Sequence, residues 1–397
     1  MKEIHDIINA YQSIALTRRP VALATLVKVE GSAYRRPGAR MLITDQESWV
    51  GALSGGCLEA DICDRAQQVI QTNKPALAIY DTTHEDDIVW GLGLGCQGIA
   101  YVLIEPISQA THCNPISLLA SCVKQRKAGG IAILFRSHKS PSAKALARES
   151  LGSLLLHYPD KALCYSESWP QLETETIRGE ILSDLQAALL NNQSAHKTYA
   201  TQKGEIEVLL QVVRPAISLS IFGAGHDAVP LAVIAKQLGW SVTVIDTQAR
   251  PSSRKRFAIA DEVCLATAAT LPPSSHAIDS RSAAVIMTHN YHADLALLKS
   301  QLFEPWSYLG LLGPKSRRNR LIIELQSQGL AIKPDQIEKL NSPVGLDIGA
   351  ETPEEIALSI LSEIQAVLTN KPGRSLKHKI TAIHTPSTPV SGYTLAT

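Results

Sequence analysis

The sequence predicts an α/β protein: an N-terminal mixed α/β domain followed by a C-terminal Rossmann-like, doubly wound parallel sheet. Residues 217–246 run as strand, glycine turn, helix and strand within about 30 residues, the proportions of a βαβ unit. Apolar strand-like runs AAVIMT (283–288), YLGLLG (308–313) and VGLDIG (344–349) then alternate with helical segments, as in a parallel sheet covered on both faces. The N-terminal half instead strings short apolar runs between turn-rich segments.

The first residues place Ile4, Ile7, Ile8, Tyr11 and Ile14 at helical spacing. VALATLVKV (21–29) reads as a buried strand, MLIT (41–44) as a second, and residues 49–53 as a third that runs into Ser54-Gly55-Gly56-Cys57. The next segment puts Ile62, Ala66, Val69 and Ile70 on one helical face. LAIY (77–80) and IAYVLIE (99–105) read as strands, 116–128 as a helix and IAILF (131–135) as a strand. Residues 136–205 are weakly patterned and are expected to be the rest of the first domain plus a connector. Near the end, Thr352-Pro353-Glu354-Glu355 has the form of a capping box with Pro at the first helical position, and Ile356, Ile360, Leu361 and Ile364 form the apolar face that follows. The expected domains are 1–205 and 206–370, with a Ser/Thr/Pro-rich tail (371–397) expected to be disordered.

With 38 basic residues against 37 acidic ones, the formal charge of +1 implies no general electrostatic grip on nucleic acid. No run approaches the roughly 20 apolar residues that span a bilayer, and the N-terminus lacks the pattern of a signal peptide, so no membrane partner is expected. The cysteines, at 57, 63, 96, 113, 122, 164 and 264, are odd in number and form no C-x-x-C pair, which argues against structural zinc and against a secreted disulfide framework. The expected compartment is a reducing cytoplasm.

Gly223-Ala224-Gly225-His226-Asp227-Ala228 fits G-x-G-x-x-A. Gly223 allows the tight turn, Gly225 leaves space for a pyrophosphate, and Ala228 lets helix pack on strand. Asp246, ending the next strand, is placed to bond a ribose 2′-hydroxyl, which favours NAD over NADP. His226 and Asp227 flank the phosphate position without the positive charge that a phosphate attracts. Lys315, Arg317 and Arg318 follow a strand at the start of a helix and form a candidate anion site. His289, His292 and Asp294 occupy a loop after a strand; capping by Asp294 is at least as good a reading as a metal site, and no metal is assigned to them.

Cys57 opens a helix after Gly55 and Gly56, where unpaired N–H groups and the helix dipole favour a thiolate. Glu59, with Cys57 a candidate catalytic residue, opposes this if close, and Arg35, Arg36 and Arg40 offset it if the fold brings them near. Cys96 sits among four glycines in GLGLGCQG (91–98), a segment that lets backbone approach a ligand closely. The other five cysteines read as buried apolar residues.

GSAYRRPGARMLI, GALSGGCLEADI, GLGLGCQG, IFGAGHDAVPLA, THNYHADL, GLLGPKSRR and PVGLDIGAETPEEIALSI, in this order, resemble the XdhC/CoxI family of xanthine dehydrogenase accessory factors. The resemblance implies an assembly factor rather than a metabolic enzyme. Such a factor binds the molybdenum cofactor (molybdopterin), assists its sulfuration, with a cysteine desulfurase as a further partner, and delivers it to xanthine dehydrogenase or a related molybdenum hydroxylase. Cys57 and Cys96 match the family's cysteine motifs and become the candidate ligands of molybdenum or sulfur. The residue chemistry agrees, since soft metals select thiolates and a pterin phosphate needs N–H and Arg donors. The rival reading is an NAD-dependent oxidoreductase, with His289 as its acid or base. A third is a nucleotide- or redox-sensing interaction protein whose cysteines oxidise reversibly. Apolar surface on two such domains predicts a homodimer.

Overall fold

The computed structural model describes residues 1–15, 19–45, 48–82, 98–107, 113–139, 151–167, 169, 175–201, 204–266 and 278–380. Among the described residues, Glu3–Pro215 form a first compact unit and Met1–Lys2 with residues 216–380 a second.

The first unit holds two antiparallel five-stranded sheets. Strands β1 (Val21–Gly31), β2 (Arg40–Thr44), β3 (Trp49–Gly51), β4 (Ala76–Asp81) and β5 (Gly98–Ile107) lie in the order β3-β2-β1-β5-β4. Strands β6 (Gly129–Lys139), β7 (Leu154–His157), β8 (Leu163–Tyr165), β9 (Ala195–Thr201) and β10 (Gly204–Val213) lie in the order β8-β7-β6-β10-β9. Alternation along β1 explains its unbroken apolar run. Val21, Leu23 and Val27 join Ile131, Ile133, Phe135 and Leu209 in a core shared by both sheets. Ala22, Ala24 and Leu26 face the other way, onto Ile62, Ala66 and Val69 of helix α2 (Glu59–Thr72). A strand buried on both faces has no polar side to show. The first helix, α1 (Lys2–Ala15), buries Ile7 and Ile8 in the shared core, and α3 (Pro115–Gln125) adds Leu118 and Leu119. Helix α4 (Glu175–Leu190) covers the outer face of the second sheet through Ile177, Ile181 and Leu185.

This second sheet departs from the expectation of a connector over 136–205. Its strands β7 and β8 are only four and three residues long, and β9 buries a single residue, Tyr199. Strands that short carry too little periodicity to read. Strand β10 pairs with β6 and β9, so residues 206–213, assigned by the sequence to the second domain, belong to the first unit.

The second unit is built on a parallel six-stranded sheet ordered β13-β12-β11-β14-β15-β16. Its strands are β11 (Ser218–Phe222), β12 (Ser241–Asp246), β13 (Glu262–Leu265), β14 (Ser282–Ile286), β15 (Tyr308–Leu311) and β16 (Leu340–Asn341). The helices are α5 (Ala228–Gln237), α6 (Ser252–Arg256), α7 (Tyr291–Gln301), α8 (Lys315–Ser327), α9 (Pro334–Glu338) and α10 (Pro353–Leu368). The capping box at Thr352 forms as the sequence predicts, and Ile360, Leu361 and Ile364 pack against the sheet. VGLDIG (344–349) is not a strand: Gly345 and Gly349 adopt φ of +106° and +73°, outside the extended region, and the last strand is Leu340–Asn341 just before it. The strand order reverses between β11 and β14, which places the ligand crevice of such a sheet at their C-terminal ends. Of the C-terminal tail, residues 381–397 lie outside the described residues. Among the described residues no helix is long and apolar enough to cross a membrane.

Candidate functional site

In the first unit, the loop between β3 and α2 carries Cys57, whose side chain is exposed, whereas Cys63, Cys113, Cys122 and Cys164 are buried. Cys264 is half-buried rather than fully buried, because its strand β13 lies at the edge of the parallel sheet. Two residues flanking the glycine pair hold the loop. The Ser54 hydroxyl accepts the N–H groups of Gly56 (3.2 Å), Cys57 (3.1 Å) and Leu58 (3.1 Å) and donates to the Glu59 carboxylate. Glu59 also accepts from the N–H groups of Leu53 (3.0 Å), Ser54 (2.7 Å) and Leu58 (3.2 Å). Burial pushes the Glu59 carboxyl up, but these hydrogen bonds outweigh it and hold the group below the usual carboxylate range.

The loop N–H groups are therefore satisfied by Ser54 instead of facing an anion, a departure from the expected thiolate-stabilising nest. Glu59, taken from sequence as a candidate catalytic group, is 5% exposed and anchors the loop from beneath. Above it, among the described residues, the site is open. A Cβ built on Gly55 or Gly56 would meet nothing within 4 Å, and Gly56 needs its glycine for a φ of +113°.

Of the arginines, Arg35 pairs with Glu3, whose other oxygen accepts from the Ala52 N–H at 2.8 Å, so one carboxylate ties this guanidinium to the start of the same loop. Arg36 lies near Arg214, and its repulsion adds to burial in lowering the Arg214 pKa. Arg40 is 2% exposed and donates to Gly38 O (3.1 Å) and Gln211 Oε1 (2.5 Å), so it is a core group and not a partner of the thiol. Cys96 lies outside the described residues. Ser54 and Glu3 were not singled out in the sequence; the signal for Ser54 was its place in Ser-Gly-Gly-Cys-Leu-Glu, bracketing the thiol.

The second unit concentrates polar groups at the sheet's switch point. Gly223 adopts φ of +129° and ends β11 in the expected turn. A Cβ on Gly225 would collide with the Asp227 carboxylate, so the space left by the second glycine is taken up by this side chain. Asp227 accepts from His289 Nε2 at 2.7 Å, and His289, beyond β14, holds a φ of +57°. His226 is exposed beside them.

Asp246 does not face a ligand. It is 1% exposed and accepts from Gln248 N (2.9 Å), Arg250 N (3.1 Å) and Ser253 Oγ (2.6 Å). Burial raises its pKa and these bonds more than reverse the effect. The candidate anion site is neutralised at only one of its three cations, Arg317. Arg317 reaches the buried Asp294 at 2.6 Å, and Arg318 donates to Ser342 O at 3.2 Å and to Asn319 Oδ1 at 2.9 Å, while Lys315 is exposed. Asn290, not Asp294, caps α7; Asp294 instead bonds Thr288. No cluster of three metal-ligating side chains occurs among the described residues.

Residues 15–81 match the XdhC and CoxI family, and residues 219–364 match the XdhC Rossmann domain. A Bacillus subtilis protein described as a probable xanthine dehydrogenase subunit is 32% identical over 92% of this chain and 97% of its own length. This chain belongs to the XdhC and CoxI family. A second relative, the "Molybdenum cofactor insertion chaperone PaoD" of Escherichia coli, is 21% identical over 89% of the chain and 85% of its own length. A crystal structure described as a xanthine dehydrogenase from Bacillus halodurans superposes with a TM-score of 0.68 at 29% identity, covering 93% of this chain and 98% of that one. The loop built around Ser54 and Glu59 lies within the residues that match the XdhC and CoxI family.

Proposed function

We propose that this protein is an accessory factor of xanthine dehydrogenase or a related molybdenum hydroxylase, which binds the molybdenum cofactor and assists its sulfuration and insertion. The observation that carries the reading is the exposed Cys57 thiol on a loop held by Ser54 and Glu59, next to two glycines that have open space around them among the described residues. The donor set suits a bulky dithiolene guest: a soft, exposed sulfur ligand on a backbone fixed by Ser54 and Glu59. The cofactor itself would supply the molybdenum centre and its sulfur chemistry. On this reading Cys57 ligates molybdenum or sulfur, Ser54 and Glu59 fix the thiol's position, and Arg35 lies at the start of the same loop for the pterin phosphate. Cys96 is the proposed second thiol. A cysteine desulfurase as sulfur donor, a homodimeric state and a cytoplasmic site of action complete the proposal.

The test is elemental and pterin analysis of the full chain purified from a molybdenum-replete host. Molybdenum and pterin should co-purify with the native chain and be lost from Cys57→Ala. Normal loading of a client hydroxylase by a chain lacking both Cys57 and Cys96 would refute the reading. The oxidoreductase reading receives no support from Asp246, which is buried away from any ribose.

A further inference from the structure

We propose that the crevice of the second unit takes a nucleotide whose ribose carries a 2′-phosphate, NADP or NADPH, in preference to NAD. The proposal is independent of the pterin reading, since it uses other residues in another unit.

In an NAD site the acid that ends the second strand must reach the ribose 2′-hydroxyl. Asp246 cannot do so: it is 1% exposed, and its oxygens are filled by the loop that follows it. That loop and α6 present the opposite charge. Between Asp246 and Asp261 the chain carries Arg250, which pairs with Asp246 at 3.5 Å, then Arg254, Lys255 and Arg256, and no acidic residue. Arg254 and Lys255 are exposed, and among the described residues no carboxylate pairs with them. Arg256 links this patch to the glycine turn, donating from Nη1 to Ala224 O at 2.8 Å. Guanidinium groups at the C-terminal end of β12, next to the glycine turn, are suited to a phosphate monoester; the bare hydroxyls of NAD would find no acceptor there.

Asp227 opposes the other end of the ligand. Its carboxylate, held by His289, covers Gly225 where a pyrophosphate would lie. The two halves of the ligand are therefore separable: adenosine 2′-phosphate engages the basic patch without meeting Asp227.

The experiment titrates the full chain, with or without bound pterin, with NADPH and NADH by nicotinamide fluorescence, and competes with 2′-AMP and 5′-AMP. NADPH should bind at least about tenfold more tightly than NADH, and 2′-AMP should displace it where 5′-AMP does not. Arg254→Gln should weaken NADPH about tenfold and leave NADH unchanged, and Arg256→Ala should weaken NADPH at least as much, with Arg256→Lys retaining part of the affinity. Asp227→Asn should strengthen NADPH but not 2′-AMP. Thermal melting checks that each variant folds, and the exposed, unpaired Arg254 keeps the test available if Arg256→Ala does not. Equal affinity for NADPH and NADH, no saturable binding of either, or indifference of NADPH to Arg254→Gln would overturn the proposal.

Discussion

Replacing Glu105 by Gln should change how the first unit's stability depends on pH. Glu105 lies on β5 opposite Leu23 of β1, on the face that Leu103 and Ile107 turn into the core shared by the two sheets. It is 5% exposed; burial pushes its carboxyl up to about 8, with nearby Arg40 pulling the other way. Arg40 is itself lowered to about 10 by burial, with Glu105 pulling it back up, so the attraction between the two only partly offsets the cost of burying them. A carboxyl that holds its proton more tightly when folded favours the native state fully below the unfolded value of 4.5. That contribution declines as pH rises and is gone above about 8. The interval from 4.5 to about 8 corresponds to a ceiling of about 4–5 kcal/mol. Gln has the same shape and no proton to lose. Any unmet amide hydrogen bond in Glu105→Gln adds a constant cost of about 1–3 kcal/mol, so the slope with pH is the readout, not the offset. Urea unfolding of both proteins between pH 5 and 9 should show the native chain losing stability relative to the variant by about 1.4 kcal/mol per pH unit through the middle of the range. Parallel profiles would refute the argument, because they would mean that Glu105 is already ionised and paired in the folded state.

Three further outcomes are expected. Cys57→Ser should abolish pterin and molybdenum retention while moving the unfolding midpoint by less than about 0.5 kcal/mol, since the side chain is exposed. Glu59→Gln should cost about 1–3 kcal/mol at pH 7 in denaturant titrations. Because the folded Glu59 pKa is lowered, its contribution is present above the unfolded value and disappears as pH falls through the folded one, so the two proteins should converge in acid. Gly56→Ala should cost about 1–2 kcal/mol through its φ of +113° alone, read as a lower melting temperature with no clash to relieve.

Long-range order was legible where it repeated. The parallel sheet announced itself through β11, the glycine turn and α5, and α10 through its capping box, because these patterns are local and the residues that specify them are consecutive. The sheet over 129–213 was not legible beyond β6, since β7 and β8 are too short to show a period and β9 buries only Tyr199, so that it shows no apolar alternation. The same distinction divides the sites. Cys57 and its glycines could be picked out as a motif. Glu59 was placed correctly near the thiol, yet its inward direction follows from Leu53 and Ser54 reaching back to it. The Asp227–His289 pair joins residues from separate strand ends, and only the sheet order shows that β11 and β14 are neighbours. Asp246 was read by its position at a strand end, a rule silent on whether the following loop would take up the carboxylate first.

Strand β10 ends at Val213, and all of its partners, like those of every other described strand of the first unit, lie upstream of it. During synthesis, the hydrogen-bonded ladders of this half can thus close before the dinucleotide-fold half has left the ribosome. A nascent chain stalled just past Pro215 already contains every described residue of the thiol-bearing unit.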